Sequence, residues 1–204
     1  AFRANGLDSI SNVHGMKSWF ASNVNKDSRI TLGNDVINDE VLFSVDDTTL
    51  AFSEVLNKFT SFYPYGTSMY INTYDRLFSI NPSSYSDMYE HNIGASSTFF
   101  GVKTNSYIEF LVNKHPIHTK VFDTIEWYTA SVGNRFESSV FKNSSDTKVD
   151  DLSEAVSKER HTRMPVPRTA TESRFRDAYM KVKLSTSKEF TLHYVKTSFR
   201  ISKR

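Results

Sequence analysis

The sequence predicts a mainly β protein built of antiparallel sheets, with a short helix near the N-terminus. Aromatic residues make up 14% of the 204 residues, and 16 Phe and 10 Tyr far outnumber 2 Trp, which suits half-buried strands. Short runs of apolar and β-branched residues recur along the chain and are separated by turn residues. Cysteine is absent, so the chain can form neither a disulfide nor a thiolate metal site.

Residues 1–32 predict a helical and connecting segment. Ser9 or Ser11 is placed to cap a short helix. Apolar residues then recur at a spacing that puts them on one helix face. They are Met16, Trp19 and Phe20.

Residues 33–97 predict a region that resembles a β-propeller blade. The acidic pair Asp46–Asp47 forms a two-residue turn between the first two strands, and residues 81–97 form a long loop. Antiparallel strands packed into about forty residues have the size and spacing of one blade. The expected strands are 41–45, 48–52, 58–63, 69–71 and 77–80.

Residues 98–133 predict β-sandwich-like strands, the strongest at 107–112 and 120–128. Alternation along the second of these strands predicts one face toward the core, and Asp123 on that face needs a partner. The residues of this face are Val121, Asp123, Ile125 and Trp127.

The last third of the chain divides into two parts. Residues 134–160 are polar and predict a loop, whereas residues 161–204 predict a basic extended arm followed by a C-terminal β-hairpin. Pro165 and Pro167 disfavour helix in the arm. The hairpin is expected to join strands at 178–184 and 190–199.

Charge is distributed unevenly along the chain. Residues 158–204 carry 13 Lys and Arg against 4 Asp and Glu, a net of +9, whereas residues 1–157 carry 12 against 19, a net of −7. This polarity predicts a basic segment that docks on an acidic neighbour or on nucleic acid; a solvated basic face is the alternative. Few aromatic residues are interleaved, which disfavours a base-stacking platform. An arm that holds a neighbouring subunit is favoured, and sequence-independent contact with a phosphate backbone is second. The candidate contact residues are Arg160, Arg163, Arg168, Arg174, Arg176, Lys181 and Lys183.

No pattern in the sequence predicts catalysis, a cofactor or a metal. The pairs Asp46–Asp47 and Asp150–Asp151 lie in predicted turns, where Asp serves local hydrogen bonding. His115 and His118 have a metal-like spacing but lie in a Pro-containing turn without accompanying carboxylates. Glycine-rich phosphate loops and a nucleophile elbow are absent, and no apolar run approaches the roughly 18 residues of a membrane span. We therefore expect a protein without enzymatic activity and without a membrane partner.

Six segments resemble the C-terminal part of the muzzle or nozzle type of tail structural protein of the crAss-like bacteriophages. The resemblance runs from about residue 41 onward and is weakest at residues 133–158. The segments are Phe-Thr-Ser-Phe-Tyr at 59–63, Phe-Gly-Val at 100–102, Tyr-Ile-Glu-Phe-Leu-Val-Asn at 107–113, Lys-Val-Phe-Asp-Thr-Ile-Glu at 120–126, Arg-Phe-Arg-Asp-Ala-Tyr-Met-Lys-Val-Lys-Leu at 174–184 and Tyr-Val-Lys-Thr-Ser-Phe-Arg at 194–200.

The resemblance implies a subunit of a ring, a hexamer, at the distal end of a short phage tail, where it forms or gates the genome-exit channel. It implies a location in the virion tail, and in the host cytoplasm during assembly. The implied partners are other copies of the chain, other tail proteins, transient non-specific contacts with genomic DNA, and an N-terminal part of the same, longer protein if that protein is cleaved. The family supplies no catalytic residues.

Two rival functions depend on other residues. A carbohydrate-binding adhesin would need exposed aromatic side chains as a sugar platform, and the candidates are Trp127, Tyr63, Tyr65 and Tyr70. A polysaccharide-degrading enzyme would need two carboxylates facing each other across a groove. Strand alternation places Asp123 and Glu126 on opposite faces, which disfavours this pair.

Overall fold

The computed structural model describes residues 9–132 and 135–202, which form two compact units that divide between Val102 and Lys103. The prediction of a mainly β chain with antiparallel sheets and a short helical segment near the N-terminus is confirmed. The first eight residues of the predicted segment 1–32, and the predicted boundary at 133/134, lie outside the described residues.

Among its described residues, the first unit contains two short helices and nine short strands, the last of which extends one residue past its boundary. Gly15, at φ +75°, separates the helices, so the single helix predicted from the sequence is two. Ser9 is the N-cap residue of the first helix, but its side chain makes no capping hydrogen bond. The elements are α1 Ile10–Val13, α2 Lys17–Asn23, β1 Ile30–Asp35, β2 Glu40–Val45, β3 Thr48–Ser53, β4 Lys58–Tyr63, β5 Met69–Asn72, β6 Leu77–Ile80, β7 Met88–Glu90, β8 Thr98–Phe99 and β9 Val102–Lys103.

Strands β1 to β4 form an antiparallel meander in sequence order. This is the connectivity of one propeller blade, although the propeller itself stays a prediction. The blade differs from the expected one, because β1 is its first strand and β5 and β6 pair with β7 in a separate three-stranded sheet. The predicted loop at 81–97 therefore contains a strand, which has only three residues and no alternation long enough to predict it.

Different elements pack on the two faces of the meander. On one face the helices bring aromatic rings onto the strands, with Trp19 5.7 Å from Phe62 and Phe20 6.0 Å from Phe59 between ring centroids. The other face packs on the three-stranded sheet. The buried apolar side chains of that second core are Leu42, Ala51, Tyr65, Tyr70 and Leu77.

Buried polar groups tie the meander to the three-stranded sheet. The Tyr70 hydroxyl lies 2.8 Å from Ser44 Oγ and donates to the Tyr65 hydroxyl at 3.2 Å, while Thr49 Oγ1 donates to the Tyr65 carbonyl at 2.8 Å. Burial raises the pKa of both Tyr65 and Tyr70, so both hydroxyls stay neutral donors and acceptors. Every member of this network therefore has a partner, as buried polar groups require.

The second unit is two antiparallel sheets packed around one apolar core. One sheet has the order β10-β17-β12-β13; the other has the order β14-β15-β11-β16, with β18 paired to the opposite edge of β11. The core lies between them and includes Phe122, Ile125, Trp127, Phe141 and Leu184, all buried. The strands are β10 Ser106–Val112, β11 Lys120–Thr129, β12 Ser138–Lys142, β13 Thr147–Asp150, β14 Val156–Lys158, β15 His161–Pro165, β16 Arg176–Asp177, β17 Met180–Thr186 and β18 Leu192–Ile201.

Two predictions for this unit are wrong. The predicted loop at 134–160 contains β12, β13 and β14, whose three to five residues each are too few for a clear alternation. Of the predicted arm and hairpin at 161–204, the described residues 161–202 form neither a free arm nor a terminal hairpin. Strands β15 and β16 pair with β11, while β17 and β18 belong to different sheets, since the connection at 187–191 crosses between the layers.

A substitution at Gly33 tests the packing between the meander and the three-stranded sheet. A Cβ at this position would lie 2.7 Å from the Tyr70 ring, which the hydroxyl network holds in place. We expect Gly33→Ala to lower the free energy of unfolding by about 1–3 kcal/mol. Urea denaturation measures it, and Asn34→Ala, at the next and exposed position of the strand, is the matched control. Equal stabilities of the two variants would show that this contact is not tight.

His91 predicts a pH dependence of stability in the first unit. Its Nε2 lies 2.7 Å from Ser79 Oγ, and burial lowers the pKa of the imidazole below 6.5, an effect that Asp35 partly opposes. The unfolded chain then binds the proton at a higher pH than the folded chain. The free energy of unfolding therefore falls as pH drops below about 6.5, by at most about 1.4 kcal/mol per pH unit from this group.

Urea titrations between about pH 5 and about pH 8 measure this slope. His91→Gln is expected to flatten it, whereas His118→Gln, at an exposed imidazole, is expected to leave it unchanged. An undiminished slope in His91→Gln would assign the pH dependence to other groups.

Candidate subunit interface

A β-bulge in β11 sets which side chains face outward from the five-stranded sheet. Between Phe122 and Thr124 the register with β18 shifts by one residue, so Asp123 is the extra residue. The shift puts Phe122 in the core with Ile125 and Trp127. Ile125 and Trp127 lie in this core as predicted, whereas Val121 and Asp123 of the same predicted face do not, since strict alternation fails at a bulge.

Asp123 accepts hydrogen bonds from two arginines that approach from different strands. Arg174 Nη1 lies 2.8 Å from Oδ1, and Arg200 places Nε 2.9 Å from Oδ2 and Nη2 3.0 Å from Oδ1. The bidentate contact of the Arg200 guanidinium with the carboxylate is among the strongest hydrogen-bonded geometries between side chains. The bulge therefore gives Asp123 the partners that its position in the sequence required.

Glu126, three residues after Asp123 on β11, is a second carboxylate that lies among cations. It lies between Arg163 of β15 and Lys196 of β18 in the strand register, and Lys196 Nζ is 3.0 Å from Oε1. His161 Nε2 lies 3.5 Å from Oε2. The hydrogen bond from Lys196 lowers the pKa of Glu126; burial opposes this effect, and the nearby positive charges act in the same direction as the hydrogen bond. This carboxylate is therefore ionised at neutral pH.

Aromatic side chains lie beside these charged residues at the end of β11. Tyr128 and Tyr194 stack with an interplanar angle of 11° and 5.8 Å between ring centroids. The Arg160 guanidinium carbon lies 5.0 Å from the centroid of the Tyr128 ring, a cation–π contact. Tyr194 remains 48% exposed, so this end of the sheet offers an aromatic surface beside the charges.

We call this outer surface of the five-stranded sheet the arginine face. It carries seven lysines and arginines against two carboxylates, an excess of five positive charges. Val121 lies among the cations with Arg176 and Arg200 as its strand partners and is 7% exposed. The cations are Lys158, Arg160, Arg163, Arg174, Arg176, Lys196 and Arg200, and the carboxylates are Asp123 and Glu126.

The outer surface of the four-stranded sheet is a second basic surface, which we call the lysine face. Lys181 Nζ lies 2.8 Å from Glu109 Oε1, and Lys183 Nζ lies 3.8 Å from the centroid of the Tyr107 ring. Directly opposed residues of neighbouring strands point to the same side of a sheet, which defines the other members. The face consists of Tyr107, Glu109, Leu111, Ser138, Val140, Lys142, Thr147, Val149, Lys181, Lys183 and Ser185.

The predicted contact residues thus lie on two surfaces rather than on one arm. Arg160, Arg163, Arg174 and Arg176 belong to the arginine face, whereas Lys181 and Lys183 belong to the lysine face. Sequence reasoning missed Lys196 and Arg200 as contact residues. The alternation of Tyr194, Lys196, Ser198 and Arg200 does predict that these side chains share one face of β18. The predicted hairpin paired this strand with the preceding one, so it did not place them next to Asp123.

Arg168 belongs to neither face. It lies in the segment between β15 and β16, where Nη1 donates to the Glu172 carbonyl at 2.8 Å. It borders an open cavity of about 340 Å³ next to Phe122 and Asp123. The charged lining has both signs, which favours no ligand of a single charge. It comprises Lys148, Arg168 and Arg174 against Asp123, Asp150, Glu154 and Glu172.

The turn with metal-like histidine spacing holds a lysine instead. The buried Lys120 Nζ donates to the backbone carbonyls of His115 at 3.0 Å and His118 at 3.2 Å, and it lies 5.8 Å from the Phe199 ring centroid. Both histidines are exposed. Within residues 9–132 and 135–202, no group of three or more histidine or acidic side chains could hold a metal ion.

The residues on which the two rival functions depend are either largely buried or already paired. Trp127, Tyr65 and Tyr70 are at most 8% exposed and Tyr63 is half-buried, so the predicted sugar platform does not exist as a surface. The placement of Asp123 and Glu126 on opposite faces is wrong, because the bulge turns Asp123 outward. Each carboxylate is already paired with cations. The part of the chain that the structure describes contains no helix long and apolar enough to span a membrane.

Comparison with known proteins matches the chain to one family in two places. The family model described as crassvirus muzzle protein matches residues 1–83, and the model described as crassvirus muzzle protein C-terminal domain matches residues 94–169. A curated relative named muzzle protein, from Bacteroides phage crAss001, is 31% identical over 91 residues, which are 44% of this chain and 6% of that protein. The two family models together match more than half of the 204 residues, and the chain therefore belongs to the crassvirus muzzle protein family.

Proposed function

We propose that this chain is part of a virion structural protein that forms a ring at the distal end of a short phage tail, and that the ring forms or gates the genome-exit channel. The observation that carries the proposal is the pair of muzzle family matches, one of them to a C-terminal domain. Other copies of the chain are the principal partners. Other tail proteins and the rest of a longer muzzle protein are further partners.

The arginine face supports a role in subunit contact. Its excess of positive charge lies on a rigid sheet, and Asp123 holds the Arg174 and Arg200 guanidinium groups in fixed orientations. Arginine guanidinium groups bind carboxylates in a bidentate manner, and a cyclic ring repeats each such contact around its axis. Transient, non-specific contact with genomic DNA is the second use that we propose for this surface.

The edges of the sheets also favour assembly. Strand β18 has ten residues and pairs with β11 alone among the described strands. A long edge strand exposes unpaired backbone groups, which invite a partner. A stiff antiparallel scaffold with charged faces and open edges suits a wall element, and the proposed role includes no catalytic step.

Native mass spectrometry of the protein purified from virions tests the proposed function. We expect several copies of the 23.4 kDa chain, or of a longer polypeptide that contains it, in one complex. Gold-labelled antibodies against the chain should mark the tail tip in electron micrographs. A 23.4 kDa monomer together with label elsewhere on the virion would contradict the proposal.

Charge removal on the arginine face should weaken assembly. Arg163 and Arg176 are exposed, and within residues 9–132 and 135–202 the structure gives neither an ion pair, unlike Arg174, which holds Asp123. We expect Arg163→Gln with Arg176→Gln to raise the dissociation constant of the assembly about tenfold, and added salt to act in the same direction.

Analytical ultracentrifugation at low and moderate ionic strength measures this change. Lys188→Gln, in the exposed connection between β17 and β18, is the control that removes a charge elsewhere. Equal dissociation constants for the wild type and the double variant would exclude the arginine face from the contact.

A further inference from the structure

The three-stranded sheet of the first unit has an apolar outer face. Strand pairing aligns Met69, Ile80 and Met88 in one row, and Ile71 and Phe78 in the next. Met69 is 47% and Met88 59% exposed, and the other three are half-buried. The opposite face of the same sheet carries Tyr70 and Leu77 into the core, so these five residues form a separate surface. We call it the methionine face.

Acidic residues surround the methionine face. Glu90 is directly opposite Phe78 on the neighbouring strand, while Asp75 and Asp87 are exposed next to the strands. Arg76 is the counter-charge, with Nη1 3.5 Å from Glu90 Oε1 and Nε 3.9 Å from Asp75 Oδ2. Three carboxylates against one arginine leave an excess of two negative charges.

The lysine face has the complementary composition. Its apolar members Tyr107, Leu111 and Val149 are 54%, 56% and 67% exposed. Three lysines against one glutamate give this face an excess of two positive charges. On this face the lysines lie on the inner strands β17 and β12, and the exposed apolar side chains lie on the edge strands β10 and β13. Methionine side chains adapt to irregular partners, so the methionine face can pack on such a mixed surface.

We infer that the methionine face of one copy packs on the lysine face of the next copy. Both faces are sheets, and sheets pack face to face at about 10 Å. The charges of the two units agree with this pairing, since the unit up to Val102 has 6 Lys and Arg against 11 Asp and Glu, and the unit from Lys103 has 19 against 12. Because the two surfaces differ, the contact is heterologous, and a contact of this type generates rings when its rotation closes. The inference rests on the proposed ring and names the surfaces that build it.

Two single-face variants test the inference. Met69→Asp with Met88→Asp disables the methionine face, and Leu111→Asp with Lys142→Glu disables the lysine face; all four positions are exposed. Each variant alone should be monomeric, because its copies lack one of the two faces that make the contact, and should bind its own kind at least about tenfold more weakly than the wild type, which is about 1.4 kcal/mol. An equimolar mixture should form a heterodimer of one copy of each variant and nothing larger. Native mass spectrometry of the full chain reads all three samples.

The mixture separates the heterologous contact from its rivals. If the methionine face paired with itself, the lysine-face variant would assemble like the wild type and the mixture would give no heterodimer. Tyr74→Asp, at a 98% exposed turn beside the methionine face, is the control for added negative charge, and unchanged unfolding midpoints show that the variants fold. Rings that persist in either variant would overturn the inference while leaving the ring proposal in place. A wild-type chain that remains monomeric would overturn the inference alone, since the ring proposal is tested on material from virions.

Discussion

The bulge at Asp123 is the constraint on which the second unit depends. Strand β11 pairs with β15 and β16 on one edge and with β18 on the other, so its side-chain parity fixes the inner and outer faces of the whole sheet. Without the extra residue, alternation would direct a carboxylate into the apolar core, where an unpaired charge costs several kcal/mol. With it, Phe122 faces inward and Asp123 meets two arginines. One residue therefore determines both the core and the arginine face.

Local pairings could be predicted from the sequence, and non-local ones could not. The turn at Asp46 lies between two strands rich in β-branched and aromatic residues, and its positive φ of 50° is the conformation that a two-residue hairpin turn needs. Strands β2, β3 and β4 follow directly from such signals. Strands β17 and β18 have equally clear alternation, but alternation does not name a partner. The connection at 187–191 is short enough for a hairpin and yet crosses between the sheets.

The candidate interface shows the same division between what composition predicts and what pairing decides. The excess of positive charge after residue 158 is visible in the sequence, and it does lie on the surface. Its separation into an arginine face and a lysine face depends on which strands enter which sheet. Lys196 and Arg200 join Arg163 and Arg174 only because β18 pairs with β11, more than sixty residues away in the chain. No periodicity within a single segment carries that information.

The carboxylates of β11 give the arginine face a property that charge alone would not. A free arginine side chain loses rotamer entropy when it binds, at a cost of about 0.5–1.5 kcal/mol for each immobilised side chain. Asp123 already restricts both Arg174 and Arg200, and it neutralises only one of their two charges. The remaining positive charge is thus presented in a fixed orientation at a reduced entropic cost. In the proposed ring this advantage recurs at every subunit, so a contact of modest strength in one copy becomes substantial in the closed assembly.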